Sequence, residues 1–449
     1  MNQKIKKISL ILLLISSQLF SQEKWTLNDC VAYAIDHNLQ LNDFKYNSQS
    51  NKETRNQSVR SLLPTINATG DYNIRFGRSV DPNNNGIVNT DFFSNNYSLE
   101  FRMDLFKGFQ KINTIKLSKL LYNANKQETL QQKYLLAFRV MSAFYDILFY
   151  EGLTEISIEQ QSLSQANYDF VNRQIELGMK AGADLYEAES RLLADKLKVT
   201  QSKNQLNAAK LKLIQEMNLE DAVDISIISE ESNWVNELDI SNEKSDSIFS
   251  KAMTFMPIIE AKELRVKAAK KQVAVSRGGL FPTLSLYGGY GTGYFQTLTN
   301  ANGETIPFKD QFRDNTFKFV GISLNIPITN GWASHSKIKQ QKITLLREEN
   351  NLQLQEQELF KTINELVLKY KSLVVEYEQS TQKVKAQLLS FETAQKKHEK
   401  GLISSLELYT SKNLLGNAQN ENLQVKLLLE VNKKTLDFYK GLPIFNINN

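Results

Sequence analysis

Proline is scarce in this chain, and its gaps constrain the fold more than its positions do. The seven prolines are Pro64, Pro82, Pro257, Pro282, Pro307, Pro327 and Pro443. None lies between Pro82 and Pro257, or between Pro327 and Pro443. Proline breaks helix interiors, so these gaps are where very long helices can form. The apolar periodicity agrees. Phe360, Ile363, Val367, Tyr370, Val374 and Tyr377 step by three and four, and Val384, Leu388 and Phe391 continue the rhythm. Leu117, Leu121, Ala124, Leu135, Phe138, Tyr145 and Leu148 follow it more loosely. Spacing near 3.5 with polar residues between is the seam of a coiled coil. The run from Trp332 to Lys400 would span on the order of 100 Å as one helix. Gly178 and Gly401 interrupt the two runs, and a second amphipathic stretch follows each, at 185–217 and 406–440. Glycine there suits a helix C-cap and a reversal, which predicts two long helical hairpins with tight tips.

The chain also repeats itself. "LLPTINATGDY" (62–72) and "LFPTLSLYGGY" (280–290) share one pattern, and "AIDHNLQL" (34–41) aligns with "AMTFMPII" (252–259) at the same offset. Further on, "LFKGF" (105–109) matches "ITNGW" (328–332), and "ELGMKAGADLY" (176–186) matches "EKGLISSLELY" (399–409). A long period used twice predicts a duplicated unit rather than a many-repeat solenoid. The expected organisation is a signal peptide at 1–21 and two structural repeats, 22–240 and 241–449. The first holds a helix, a β-hairpin at 64–105, a helical hairpin at 109–217 and an acidic segment at 219–240. The second holds a helix, a β-hairpin at 282–328 and a helical hairpin at 332–440.

The hairpins rest on period-two patterning. Ile66, Ala68, Gly70, Tyr72, Ile74 and Phe76 alternate with Asn67, Thr69, Asp71, Asn73 and Arg75. Tyr97, Leu99, Phe101, Met103 and Leu105 alternate with Ser98, Glu100, Arg102 and Asp104. Leu284, Leu286 and Tyr290 mark a glycine-rich strand. In the next strand Val320, Ile322, Leu324, Ile326 and Ile328 are out of phase with Phe317 and Phe319, which reads as a bulge. The stretches 78–94 and 297–315, rich in Asn, Asp and Gly, read as exposed turns.

The N-terminus reads as a secretory signal. Lys4, Lys6 and Lys7 precede the apolar run "ISLILLLISSQLF", and Ser21 is a plausible cleavage position. Removing that segment lowers the formal charge from +5 to +2, with 51 basic against 49 acidic residues. The basic balance therefore gives no argument for a nucleic-acid partner. Cys30 is the one cysteine, so an intrachain disulfide is impossible; it reads as a small packed residue of the first helix. No later stretch has the length of apolar residues a transmembrane helix needs. An exported chain can still enter a membrane as a β-barrel. Four strands of nine to eleven residues, polar on one face and apolar on the other, suit one. They are too few to close alone, so closure would need several chains, giving 8, 12 or 16 strands. Twelve or more could leave a polar lumen lined by Asn67, Asp71, Arg75, Glu100 and Arg102. Phe92, Phe93, Phe106, Phe109, Phe281, Tyr294, Phe308, Phe312 and Trp332 sit at strand ends and in loops, as interfacial girdles do. Two separated hairpins are too few for a soluble β-sandwich.

Taken in order, "WTLNDCVAYAIDHN" (25–38), the two proline phrases, "VNRQIELGMKAGADLYEAES" (171–190) and "AQKKHEKGLISSLELYTSKN" (394–413) resemble the TolC-type outer-membrane efflux protein family over essentially the whole mature chain. The resemblance implies a mixed α/β, mostly helical chain. It also implies a homotrimer with a 12-stranded transmembrane β-barrel, four strands from each chain, continuous with a periplasmic α-helical coiled-coil barrel. It implies an α/β belt to which 219–246 could contribute, with "VDISIIS" (223–229) as a short strand. The tips, Gly178 with Met179 and Gly401 with Leu402, would dock a periplasmic adaptor protein that leads to an inner-membrane pump. The resemblance also implies a periplasmic gate of inward acids. Asp184 and Glu407 match family gate positions, six residues beyond each glycine. Ile403, Thr410 and His398 depart from the pattern, and Glu187 could supply a compensating carboxylate.

The expected function is a passive outer-membrane channel-tunnel that exports small molecules or polypeptides in a tripartite efflux or type I secretion assembly. The competing class is an exported oligomeric coiled-coil adhesin or structural tether. Catalysis finds little support: His37, His335 and His398 lack metal-ligand spacing, and neither a Walker loop nor a nucleophile elbow is present. "GGYGTG" (288–293) falls inside a strand instead of preceding a helix. No cofactor is expected.

Overall fold

The computed structural model describes residues 24–80, 85–89, 91–179, 181–220, 222–228, 244–445 and 447. The signal-peptide reading and most of the acidic segment lie outside the described residues. In chain order the elements are β1 (Lys24–Trp25), α1 (Leu27–His37), α2 (Leu39–Arg60), β2 (Thr65–Arg75), β3 (Arg78–Val80), β4 (Ile87–Asn89), β5 (Phe92–Lys107), α3 (Gln110–Glu176) and α4 (Gly182–Met217). Then come β6 (Ser226–Ile227), α5 (Ser245–Phe255), α6 (Pro257–Arg277), β7 (Thr283–Phe295), α7 (Phe308–Asp314), β8 (Phe317–Asn325), α8 (Ala333–Glu399) and α9 (Ser405–Tyr439). The proline gaps are filled as expected, since α3 and α8 have 67 residues each. Element lengths recur between the halves: α1 and α5 have 11 residues each, α2 and α6 have 22 and 21, and α4 and α9 have 36 and 35. Each half therefore opens with two helices where the sequence suggested one.

The chain forms two compact units, and each draws on both halves of the sequence. Among the described residues, the unit of 24–46, 127–259 and 354–447 is mainly helical. Its core joins Cys30, Val31 and Ala34 of α1 to Leu136, Val140, Phe144 and Ile147 of α3 and to Leu213 and Met217 of α4. A fully buried Leu or Ile of this kind contributes roughly 1.5–3 kcal/mol. Leu135, placed on the seam by its spacing, is instead exposed, while Leu136 beside it is buried. α3 packs on α1 and α4 together, so its apolar face is broader than a two-helix seam. Thr26 and Asp29 form a capping box that starts α1. Cys30 is buried in that helix, and burial pushes its thiol up to about 12. β6, inside the "VDISIIS" phrase, pairs in parallel with β1. In α8 the predicted seam residues Ile363, Val367, Tyr370, Val374 and Phe391 are buried, whereas Phe360 and Leu388 are exposed.

The second unit, residues 47–126 and 260–353, carries the sheet. Four antiparallel strands run in the order β2-β5-β7-β8. The two hairpins are thus not separate fragments: β5 and β7 pair from Ser94↔Phe295 to Lys107↔Thr283 and fuse them into one sheet. The strands run to Lys107 and stop at Asn325, so Ile326 and Ile328 lie beyond β8. The expected bulge at 317–320 is absent. β8 follows β7 without a shift from Thr283↔Asn325 to Gly291↔Phe317, and the irregularity falls on β5 between Asp104 and Phe106. The phase slip has another cause. Phe317 and Phe319 stand opposite Gly291 and Gly289, and their rings occupy the space a side chain there would fill. The presumed turns also hold structure. β3 and β4 pair within 78–94, and α7 lies within 297–315.

The matching phrases "LFKGF" and "ITNGW" are one backbone device. Gly108 and Phe109 have φ of 55° and 60°, and Gly331 and Trp332 have 62° and 67°. Two successive left-handed residues turn each strand into its long helix. The aromatic member of each pair accepts a conformation that costs a non-glycine residue roughly 1–2 kcal/mol. At Gly108 a Cβ would fall 2.2 Å from the Gly278 carbonyl oxygen, so glycine is also required there for close approach.

Candidate functional site

Both helical tips close with the same hydrogen bonds. The Gly178 N–H donates to Ile175 O and the Met179 N–H to Gln174 O, each at 2.8 Å. At the other tip the Gly401 N–H donates to His398 O and the Leu402 N–H to Lys397 O, each at 2.9 Å. These are paired Schellman closures, and both glycines have φ of +71°. The closures leave Met179 and Leu402 exposed at the turns, 70% and 69%. Two large apolar side chains are thus held out by the turns instead of entering a core.

Asp184 and Glu407 both occupy the third helical position after the turn, in α4 and α9. Glu407 completes a capping arrangement: its N–H donates to Ser404 Oγ at 3.3 Å and its carboxylate accepts from the same hydroxyl at 3.1 Å. Asp184 is half-buried and Glu407 exposed. Glu187 is exposed too, but it forms an ion pair with Arg191 one turn on. Arg191 then donates to Ser405 O at 2.8 Å and lies 4.5 Å over the Tyr409 ring. Glu187 is therefore the outer end of a bridge between α4 and α9. His398 is buried against Phe170, with Nε2 3.2 Å from Ser405 Oγ.

Behind this bridge lies a feature missed by sequence reasoning. Asp195 of α4 and Lys412 of α9 form an ion pair with side chains only 1% and 4% exposed. Ser164 Oγ of α3 donates to Asp195 Oδ2 at 2.5 Å. Lys412 Nζ also donates to Ser164 Oγ at 2.6 Å and Gln160 O at 3.2 Å. Burial holds the ammonium below the usual lysine range, and the Asp195 carboxylate opposes that shift. Three helices from both hairpins are fastened at one point. The signal was present: Leu192, Asp195, Val199 and Ser202 step by three and four along one buried face of α4, so a carboxylate stands in an apolar stripe.

In the sheet-bearing unit, cross-strand register sorts the side chains. Asn67 stands opposite Glu100, Asp71 opposite Asn96, Thr65 opposite Arg102, and Arg75 opposite Phe92. Directly paired residues share a face, and alternate residues along a strand share it too. All five expected lumen residues, Asn67, Asp71, Arg75, Glu100 and Arg102, therefore lie on one face. It continues onto β7 through glycines 289, 291 and 293. The opposite face carries Ile66, Leu99, Val320 and Ile322, all of them exposed. Among the described residues β2 pairs with β5 alone and β8 with β7 alone, so both edges of this sheet are open.

The chain thus combines a sheet with one exposed apolar face and very long paired helices. Residues 250–442 match the family model described as outer membrane efflux protein. The match is to a family of outer-membrane transport proteins rather than enzymes. The chain is 21% identical over 316 residues to outer membrane protein TolC of Vibrio cholerae, an alignment that spans 69% of this chain and 66% of TolC. Its fold matches solved structures along nearly the whole length. Against CusC the TM-score is 0.76 at 16% identity, covering 95% of this chain and 96% of CusC. Against the CmeC outer membrane channel of Campylobacter jejuni it is 0.79 at 14% identity, covering 94% and 87%. Against the outer membrane protein VceC of Vibrio cholerae it is 0.75 at 12% identity, covering 92% and 96%.

Proposed function

We propose that the chain is one third of a passive export conduit. The observation that carries this reading is the four-stranded sheet with an exposed apolar face and two open edges. In hydrocarbon every backbone donor and acceptor must be paired, so such a sheet needs neighbours at β2 and β8. Three copies give twelve strands, enough to surround a polar lumen lined by Asn67, Asp71, Arg75, Glu100 and Arg102. The recurring element lengths support a duplicated unit, and with it a helical barrel built from two similar hairpins in each chain. The adhesin or tether reading leaves the apolar sheet face without a purpose.

The tips at Gly178–Met179 and Gly401–Leu402 are the docking points for a periplasmic adaptor, which connects to an inner-membrane pump. Asp184 and Glu407 form threefold rings of carboxylate at the entrance, with Glu187 contributing through its bridge to Arg191. Such rings favour cations. The cargo is small molecules or polypeptides, and energy comes from the pump.

The test is the outer-membrane fraction. A heat-modifiable trimer that conducts in planar bilayers is expected, and changing Asp184 and Glu407 to alanine alters its conductance or cation preference. A non-conducting monomer would overturn the conduit; an unchanged channel in the double variant would remove the gate role alone.

A further inference from the structure

The connection from β7 to β8 is pinned against one face of the sheet. Gln311 of α7 is 1% exposed, and its side chain is fully engaged. Its Oε1 accepts from Phe295 N at 2.9 Å, and its Nε2 donates to Phe295 O at 3.0 Å and to Ile306 O at 2.7 Å. Thr292 Oγ1 donates to Phe312 O at 2.6 Å, and Asn315 Nδ2 donates to Gly293 O at 2.9 Å. The rings state which face is covered. Phe312 meets Tyr97 with centroids 5.7 Å apart, and Phe308 meets Tyr294 at 5.6 Å. Tyr97, Thr292 and Tyr294 belong to the apolar face, in register with Leu99 and Ile66 and opposite in phase to Glu100 and Asp71. Side-chain pins to backbone thus hold the helix outside, away from the polar face.

An aromatic band results. Tyr72 stacks on Phe93 at 5.5 Å, Phe93 contacts Tyr294 at 5.1 Å, and Tyr294 leads to Phe308 and Phe312, themselves 5.5 Å apart. The band crosses the strands from the β2 edge to α7. Its outer rings remain uncovered, with Tyr72 65%, Phe308 46% and Phe312 42% exposed. The exposed flank of α7 carries Lys309 and Arg313 with Asp310 and Asp314, and Arg313 is ion-paired to both acids. Balanced charge beside half-exposed aromatics is the chemistry of the boundary between lipid headgroups and acyl chains, where amphipathic rings concentrate.

We propose that α7 is a lipid-seated helix: it rests in that boundary as an extension of the apolar sheet face and keeps the β7–β8 connection off the mouth of the conduit. The proposal rests on the transmembrane reading of the sheet. Because the charges cancel, the seat depends on apolar burial and not on anionic lipid.

The test uses the full chain with Trp25, Trp234 and Trp332 changed to Phe. Single tryptophans are then introduced by Phe312→Trp, Phe308→Trp, Val320→Trp or Asn67→Trp. The proteins are reconstituted in phosphatidylcholine vesicles brominated either near the headgroup or near the chain ends. F312W is expected to lose fluorescence mainly to the headgroup-proximal bromines, and equally when anionic lipid is added. F308W gives a second reading from the neighbouring turn if F312W does not assemble. V320W loses fluorescence as a membrane-face control, and N67W is unaffected. Quenching of V320W with none of F312W and F308W would overturn the lipid seat and leave the barrel intact. Quenching of none of the three would overturn the barrel as well. Quenching that requires anionic lipid would refute the apolar seat in favour of charge attraction.

Discussion

Changing Lys412 to methionine should loosen the helical unit at one defined point. The replacement keeps the length of the side chain and removes its charge, leaving Asp195 at 1% exposure without the ammonium that now contacts it. Breaking a buried pair by removing one partner costs about 3–5 kcal/mol, because the remaining charge stays desolvated. The lower end applies here. Ser164 Oγ still donates to Asp195 at 2.5 Å, and Lys198 Nζ stands 3.6 Å from the other carboxylate oxygen. A local cost of about 3 kcal/mol corresponds to roughly 150-fold faster opening of the surrounding structure. Hydrogen–deuterium exchange of peptides covering 157–170, 188–202 and 405–416 reads that directly, and peptides from the sheet serve as the unchanged reference. The double variant D195L/K412M removes both charges, and it should restore protection to the original level or beyond. If K412M exchanged at the original rate, the carboxylate would be hydrated in the assembled protein. If the double variant were as loose as the single one, shape rather than charge would hold the helices.

Two further outcomes follow from local geometry. Cys30, pushed up to about 12 by burial with a smaller push from Asp29, stays a neutral thiol in the fold. Maleimide at pH 8 should label it only after denaturant is added; the fold's preference for the neutral thiol is fully present below the unfolded cysteine pKa of about 8.5 and is lost as pH rises toward the folded value, so urea midpoints should fall across that range. Labelling of the native protein would show that the first helix is not packed. In the sheet, a Cβ at Gly291 would lie 2.3 Å from the Phe317 ring, whereas one at Gly182 meets nothing within 4 Å. Gly291→Val should therefore cost about 1–3 kcal/mol of stability by overpacking, and Gly182→Ala should be neutral or slightly stabilising, as read from urea unfolding in vesicles.

The long helices, the glycine tips and the polar and apolar faces of the strands were legible because each depends on neighbours in sequence. Proline placement, a spacing of three and four, and an alternation of two are local rules. What was misread depended on contacts between distant segments. The slip at Phe317 and Phe319 looked like a bulge, because the glycines that receive their rings lie on another strand. The true irregularity between Asp104 and Phe106 did leave a trace, because Leu105 and Phe106 are adjacent apolar residues and the alternation of β5 shifts phase there. Glu187 was legible as an acid near a tip, but its tie to Arg191, Ser405 and Tyr409 depends on how α4 and α9 pack. The Asp195–Lys412 pair lies 217 residues apart in the chain, and only the carboxylate's place in an apolar stripe hinted at it.

The chain by itself determined how far its helices extend, where they reverse and which side of each strand avoids water, since backbone sterics and hydrophobic periodicity act within a few residues. Tertiary structure alone decided that the two hairpins share one sheet, that two charges are buried between helices from separate hairpins, and that a short aromatic helix lies on the apolar face. Those outcomes depend on which surfaces exclude water together, and that is settled when remote segments meet.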